Sequence, residues 1–270
     1  MPSALSRRRL LGLGGALAVS ALAGGCSATG EDRGDLGLGG RESASCVPRG
    51  SLDSHRTLAG LPLVYEVNQR RTAFRFDGAF FARLESWAGD VADALPSRPR
   101  ELSTYGSWTD GGSACDSWHN AGRAFDVARL TLADGSVVSC RYDQWRSLGG
   151  SRLDEARRRY WALAAGLHRR FAYVLTYLYN AQHANHVHVD NGRSGGTDST
   201  FSSRSAVQVQ AVQALCRYLW AEPVELTGTW DAPTRTAAGR VLDRLGLEDT
   251  LDAAASWSGF LGASVDRGRA

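Results

Sequence analysis

The sequence predicts an α+β fold: a small, mostly antiparallel sheet with flanking helices, followed by a small C-terminal helical domain. Three patterns predict the α+β part. Residues 79–95 and 152–173 carry apolar stripes with helical spacing, and residues 127–140 between them alternate like a hairpin. Two further helical patterns follow residue 205. Because helical and strand patterns do not alternate regularly, we expect a mixed rather than a parallel α/β architecture.

Residues 1–25 have the pattern of a signal peptide. Three arginines precede an apolar run that is too short and too rich in glycine for a transmembrane helix. The arginines resemble a twin-arginine export signal, with an ordinary export signal as the alternative. Cys26 ends a lipobox-like stretch, so we expect a lipid anchor on Cys26, unless this cysteine is incidental. In either case we expect the protein outside the cytoplasm, on the outer face of the membrane or in the cell wall.

Composition divides the rest of the chain. Residues 26–58 are rich in glycine, serine and charge without apolar periodicity, which predicts a disordered tether. A folded domain is expected over residues 59–192. Residues 193–204 are rich in glycine, serine and threonine and predict a linker, and residues 205–262 predict the helical domain.

The elements of residues 59–192 follow from spacing. The first helix is expected from Ala79 to Leu95, ended by Pro96. Asp134-Gly135 is a typical turn for the hairpin over residues 127–140. The second helix is expected from about residue 152, with Ser151 as its cap, to residue 173.

Histidine clustering is the main functional signal. Four of the six histidines fall in two short windows, at His119, His183, His186 and His188. On a strand over residues 184–190, His186 and His188 would project from the same face. Asp126 lies in another strand pattern, residues 124–128, so two neighbouring strands can present both residue types to one point.

Two imidazoles and one carboxylate, with a fourth position open, are the usual protein ligands of catalytic zinc. We therefore expect one Zn²⁺ held by His119, Asp126 and one histidine of the second window. The other histidines are expected to act as base, acid or oxyanion stabiliser. Two alternatives stay open: the same ligand set holds iron in non-haem oxygenases, and ordinary strand histidines satisfy their hydrogen bonds without any metal.

The pattern Ser117-x-His119-x-x-Gly122-x-Ala124-x-Asp126, followed by His186-x-His188, resembles the signature of the lysostaphin and D-Ala-D-Ala carboxypeptidase superfamily of zinc peptidases. Within it, residues 60–192 are most similar to the extensin-like C-terminal domain family of bacteria. This resemblance implies that His119, Asp126 and His188 bind zinc and that His186 is catalytic.

Further roles are implied by the same resemblance. His183 matches an additional histidine of one peptidase branch and is a second catalytic candidate. Ser117 is implied as a hydrogen-bonding residue behind the metal or beside the substrate. Relatives often carry a substrate-binding arginine upstream, which residues 103–108 lack, so Arg123 and Arg129 are the candidate replacements.

The C-terminal part resembles a second family. Gly228-x-Trp230-Asp231-x-x-Thr234 is similar to the motif of a small helical peptidoglycan-binding module, apart from Asp231, where that family has glycine. The alternative is a helical extension that packs on the catalytic domain.

Five cysteines fit an exported protein. With Cys26 lipidated, Cys46, Cys115, Cys140 and Cys216 remain for two disulfides in one of three connectivities. Cys115–Cys140 is favoured, since it would tie the first histidine window to the end of the hairpin; free buried thiols are the alternative.

Charge and resemblance together set the expected function. The formal charge of +3 resides in residues 1–25, so the remaining chain is close to neutral and offers no electrostatic basis for binding nucleic acid. Membrane contact is expected only through lipid on Cys26. The resemblance implies an exported zinc peptidase that hydrolyses stem or cross-bridge peptides of peptidoglycan, its expected partner. The alternative is a non-catalytic, zinc-containing protein that binds the cell wall.

Overall fold

The computed structural model describes residues 44–112, 114–192, 195–248 and 250–268. The signal peptide predicted over residues 1–25 and the lipidation site Cys26 lie outside these residues. The fold is mixed α+β, which confirms the predicted class. Within the described residues, no helix combines the length and apolarity needed to cross a membrane.

The described residues form six α-helices and ten strands. The helices are α1 (Gly78–Ala94), α2 (Tyr142–Trp145), α3 (Gly150–Arg170), α4 (Ala206–Leu219), α5 (Ala232–Leu245) and α6 (Ala254–Arg267). The strands are β1 (Asp53–His55), β2 (Thr57–Leu58), β3 (Leu61–Tyr65), β4 (Arg70–Arg71), β5 (Phe74–Phe76), β6 (Pro99–Gly106), β7 (Ala124–Leu132), β8 (Val137–Ser139), β9 (Tyr173–Leu175) and β10 (Val187–Asp190). Short 3₁₀ helices cover Arg49–Ser51, Trp118–Ala121 and Ala181–Asn185.

An eight-stranded sheet organises the molecule. Its main path runs β2-β3-β6-β7-β10-β9, with β4 paired to β3 and β8 paired to β7. The β3–β6 pair is parallel and the other pairs are antiparallel. β1 and β5 form a separate two-stranded ribbon.

Two of the predicted elements are confirmed with small shifts. Helix α1 begins one residue early, because the side chain of Asp77 accepts a hydrogen bond from the backbone nitrogen of Phe80 at 2.9 Å. The hairpin of β7 and β8 turns at Gly135, whose φ of 85° suits glycine.

Helix α3 differs from its prediction at both ends. It begins at Gly150 without a side-chain cap, so Ser151 lies inside the helix. It ends at Arg170 because Phe171 is extended and the chain continues into β9, which pairs with β10. The apolar residues after Arg170 fit a buried strand as well as a helix, which explains the error.

The core lies between one face of the sheet and the helices. Alternate residues of β7 and β10 point into it, including Phe125, Val127, Val187 and Val189, all with no exposed surface. The residues of opposite parity, among them Asp126 and His188, therefore point to the other face. This second face carries the candidate site.

The tether prediction was wrong for residues 46–58. Cys46 forms a disulfide with Cys115, and β1 and β2 are ordered by pairing with β5 and β3. The prediction failed because short edge strands and a disulfide order a polar segment that lacks apolar periodicity.

The favoured Cys115–Cys140 disulfide is also wrong. Cys140 and Cys216 are free thiols that lie wholly buried in the core, where burial raises the pKa of both. Cys140 belongs to the core face of the hairpin, whereas Cys115 lies beside the N-terminal segment. A disulfide fits the predicted export of the protein.

The C-terminal helices share the core of the sheet. Helices α4 and α6 pack against α3, and their apolar residues belong to the same buried cluster. Ser199 and Phe201 are buried, so part of the predicted linker is packed too. Helix α6 was not predicted, although Trp257, Phe260 and Leu261 give it an apolar face. This packing matches the alternative prediction of a helical extension that packs on the preceding domain. Peptidoglycan binding by these helices stays a prediction.

Candidate metal centre

The strand register brings Asp126 and His188 together. In the antiparallel pair of β7 and β10, these two residues are direct partners, so their side chains leave the sheet on the same face. His188 Nδ1 lies 2.9 Å from Asp126 Oδ1. The hydroxyl of Thr104 on β6 donates to the backbone oxygen of Asp126 at 2.7 Å, which holds this strand where β6 and β7 are out of regular register.

His119 reaches the same point from the loop before β7. Ser117 caps the 3₁₀ helix Trp118–Ala121, and its side chain accepts a hydrogen bond from the backbone nitrogen of His119 at 3.3 Å. Gly122, with a φ of 67°, ends this helix in the left-handed conformation and turns the chain into β7. His119 Nε2 then lies 3.3 Å from Asp126 Oδ1 and 3.2 Å from His188 Nδ1.

These three side chains form a group that could hold one metal ion. One ligand atom from each of His119, Asp126 and His188 lies within 4.8 Å of the other two. The three residues are 4 to 7 % exposed. Two nitrogen atoms and one oxygen atom that lie this close together and are this deeply buried match the protein ligands of a tetrahedral metal site.

Hydrogen bonds behind the ligands orient both imidazoles. His119 Nδ1 lies 2.5 Å from the backbone oxygen of Ser107, and His188 Nε2 lies 3.3 Å from Asp190 Oδ2. Both partners are acceptors, so the outer nitrogen of each ring donates and the inner nitrogen is left with a lone pair for a cation. These bonds support the fit of a metal to the group.

The electrostatics of the group also favour a cation. Burial raises the pKa of Asp126, but the neighbouring imidazoles, His119 first, outweigh it and hold the pKa well below the usual range. Burial lowers the pKa of His188, but Asp126 and Asp190 outweigh it and raise the pKa to about 9. Asp126 and Asp190 thus draw positive charge to the His188 ring, which lies between them. When no metal supplies this charge, a second proton on His188 does.

His186 and His183 border the group without joining it. His186 Nε2 lies 3.5 Å from Asp126 Oδ1. The ring centre of His183 lies 5.1 Å from that of His186 and 5.9 Å from that of His188. Burial lowers the pKa of both, to about 3 for His183, with the other histidines acting in the same direction. The structure therefore gathers all four histidines of the two windows around one carboxylate.

Arg123 is held by contacts beside the group. Its guanidinium lies 4.5 Å from the ring centre of Trp118, its Nε donates to Asn191 Oδ1 at 2.9 Å, and another nitrogen donates to the backbone oxygen of Asn191. These contacts join the first histidine window to the end of β10. Substrate binding by Arg123 or by Ser117 stays a prediction.

A polar wall flanks His186 on the side of β6 and α2. The ring centre of Tyr105 lies 5.8 Å from that of His186, and the guanidinium of Arg141 lies 5.9 Å from the Tyr105 ring. Arg141 pairs with buried Glu66 at 3.1 Å and with Asp143 at 2.7 Å. Glu66 also pairs with Arg129 at 2.9 Å. Two carboxylates thus face two guanidinium groups, so the charges of these four side chains balance.

Several residues of the site were not predicted from sequence. Asp190 had a signal, since it lies two residues after His188 on the same strand and therefore on the same face. Tyr105, Asn180, Asn185 and Ser107 had none, because their positions depend on how β6 and the 3₁₀ helix Ala181–Asn185 meet the histidines in space.

Comparisons with known proteins identify one relationship. No curated protein and no solved structure matches the chain. A family model described as Extensin-like protein C-terminus matches residues 102–200, which contain the metal group, His183 and His186. This stretch of the chain is thus similar to the C-terminal part of extensin-like proteins, as its two histidine windows indicated.

Proposed function

We propose that this protein is an exported, zinc-dependent peptidase that hydrolyses peptide bonds in the stem or cross-bridge of peptidoglycan. One observation carries the proposal: His119, Asp126 and His188 converge within 4.8 Å, and His186, which is not among these three ligands, lies 3.5 Å from the same carboxylate. A metal site with a further imidazole beside it has the parts that hydrolysis of an amide requires.

The donor set supports zinc in particular. Two imidazoles and a carboxylate suit zinc, which needs no further protein ligand when it acts in catalysis. When bound, zinc would polarise a substrate carbonyl and lower the pKa of water toward about 7. Iron remains the alternative with the same ligands, and metal analysis of the purified protein distinguishes the two.

The remaining residues have separate tasks in this proposal. His119, Asp126 and His188 would hold the ion, and Ser107 and Asp190 would fix the two rings. His186 would accept or donate a proton near the scissile bond. Because the site side chains are buried, the substrate would approach along the partly exposed rim that includes Tyr105 and Asn185.

Peptidoglycan is proposed as the substrate on the resemblance of the two histidine windows, and export supports it. The Cys46–Cys115 disulfide is consistent with an exported protein. The C-terminal helices would contribute a wall-binding surface fixed to the catalytic domain.

Digestion of purified sacculi tests the proposal. Zinc-loaded protein without residues 1–25 should release new muropeptides, identified by mass, and the His188→Ala variant should release none. The matched control is His55→Ala, because His55 stacks on Phe81 and lies outside the metal group. If the wild-type protein binds zinc and leaves muropeptides unchanged, the non-catalytic wall-binding protein is the better description.

A further inference from the structure

The two histidines of the two windows that are not in the metal group, His183 and His186, are each held by an asparagine. Asn180 Oδ1 lies 2.7 Å from His183 Nδ1, and Asn185 Oδ1 lies 2.6 Å from His186 Nδ1. Both asparagines belong to the turn around the 3₁₀ helix Ala181–Asn185, Asn180 as its cap and Asn185 as its last residue.

Each amide has only one orientation that satisfies its neighbours. Asn180 Oδ1 also accepts a hydrogen bond from the backbone nitrogen of Gln182 at 3.0 Å, so this atom must be the oxygen. Asn185 Oδ1 is the atom that faces His186 Nδ1, at 2.6 Å. The amide nitrogen of Asn185 is therefore the atom left to donate in its hydrogen bond with the Tyr105 hydroxyl.

An amide oxygen facing Nδ1 decides the tautomer of His186. Nδ1 must carry the proton, because the oxygen can only accept. The lone pair of a neutral His186 is then on Nε2, the atom 3.5 Å from Asp126 Oδ1. Asn185 differs here from Asp190, the partner of His188: an amide carries no charge and does not stabilise an imidazolium as a carboxylate does.

We propose that Tyr105 and Asn185 are positioning residues that hold His186 with an unprotonated Nε2 facing the metal group, so that His186 is the proton acceptor of the reaction. The inference rests on the proposed peptidase function for its chemical meaning. As the oxygen of water bonds to the carbonyl carbon, its proton moves to Nε2. The same proton passes to the leaving nitrogen as the C–N bond breaks, which returns the imidazole to its starting state.

Nitrogen-15 NMR of the histidine rings tests the tautomer without relying on activity. In zinc-loaded wild-type protein, we expect His186 as the Nδ1–H tautomer, with its signals assigned from their loss in His186→Gln. Asn185→Leu should give a mixture of tautomers, whereas Asn185→Asp, which keeps an acceptor, should retain Nδ1–H. Tyr105→Phe should shift His186 in the same direction as Asn185→Leu and by less. Asn180→Leu should move the signals of His183 and leave those of His186 in place.

Kinetics on muropeptides give the second measurement. Asn185→Leu should lower kcat about 10-fold or more with little change in KM, and Asn185→Asp should recover part of the loss. Asn68→Ala is the control, since Asn68 is exposed in the turn between β3 and β4. A His186 that stays in the Nδ1–H tautomer in Asn185→Leu would overturn the inference. If the wild-type protein cleaves nothing, the peptidase proposal fails while the tautomer result still decides the roles of Asn185 and Tyr105.

Discussion

His188 and Asp126 are cross-strand partners in the pair of β10 and β7, and their side chains meet at 2.9 Å. The metal group is therefore built into the register of the sheet, and a slip of β10 by one residue would destroy it by sending His188 to the core face. His119 alone comes from a loop, and its position depends on the cap at Ser117 and the turn at Gly122.

The first prediction concerns the ligands. His188→Ala and Asp126→Asn should each reduce bound zinc from about one ion per chain to almost none at micromolar protein, because two remaining ligands hold zinc weakly. Elemental analysis after dialysis measures the stoichiometry. His55→Ala should keep the ion. Full zinc occupancy in His188→Ala would place the metal elsewhere in the protein.

The second prediction separates metal binding from turnover. His186→Ala should retain the zinc ion, since no ligand is removed, but kcat on muropeptides should fall by about 100-fold or more. Zinc titration and steady-state kinetics on the same preparation measure both. Loss of zinc together with activity would instead make His186 a ligand, and unchanged kcat would remove it from the reaction.

The chemistry of the site was more predictable from sequence than the packing around it. His186 and His188 were predicted to face the same side from their spacing of two, and both do point toward Asp126. The partners behind the rings, such as the Ser107 oxygen and Asn185, were missed because no short-range pattern specifies a contact between distant segments.

Elements with a strong hydrophobic periodicity were predicted from sequence, whereas elements that depend on pairing with a distant segment were not. The stripe of α1 and the turn at Gly135 are local signals, and both were correct. The second helix was predicted to continue to Tyr173, the first residue of β9, because the apolar residues after Arg170 fit either structure, and pairing with β10 decides the outcome. The disulfide partner of Cys115 was likewise beyond local reasoning, since Cys46 lies 69 residues away.

The third prediction concerns the Cys46–Cys115 disulfide. The segment that it ties down contacts the loop of His119: the backbone nitrogen of Val47 donates to the oxygen of Asn120 at 2.9 Å, and Trp108 Nε1 donates to the oxygen of Val47 at 3.1 Å. Replacing both cysteines with alanine should lower the free energy of unfolding by about 2–4 kcal/mol, as expected for a long closed loop. Denaturant unfolding measures the loss.

A reducing agent provides the matched test of this disulfide. It should destabilise the wild-type protein by a similar amount and have no effect on the double alanine variant, in which Cys140 and Cys216 are the free thiols among the described residues. Hydrogen exchange should rise over residues 107–122 in both cases. Equal stability of wild type and double variant would mean that the segment is held by its hydrogen bonds alone.

The fourth prediction tests the contact between Gly192 and Trp118, which packs the end of β10 against the first histidine window. A Cβ on Gly192 would clash with the indole of Trp118, whereas a Cβ on Gly196 would meet no atom within 4 Å. Gly192→Ala should therefore cost about 1–3 kcal/mol of stability and weaken zinc binding, because Trp118 directly precedes His119. Gly196→Ala should change neither. Denaturant unfolding measures the stability and zinc titration measures the affinity. Identical behaviour of the two variants would show that the contact between Gly192 and Trp118 does not support the metal group.

The fifth prediction concerns buried His168 on α3. Within the described residues, neither of its ring nitrogens has a hydrogen-bond partner, and Trp257 of α6 lies beside it with ring centres 6.3 Å apart. Burial lowers the pKa of His168 to about 3. The unfolded chain, with a histidine pKa of about 6.5, therefore binds a proton between pH 6.5 and pH 3 that the folded protein excludes.

The free energy of unfolding is therefore unaffected by protonation of His168 above pH 6.5. It falls as the pH drops toward 3, because the unfolded chain takes up the proton first. Between pH 7 and pH 5, the wild-type protein should lose about 2 kcal/mol more than His168→Phe, which keeps an aromatic ring against Trp257 and cannot titrate. Urea unfolding of both proteins at each pH measures the difference, and the shared titration of the metal-group histidines cancels from it. Parallel pH profiles for the two proteins would show that His168 finds a way to be protonated in the folded state.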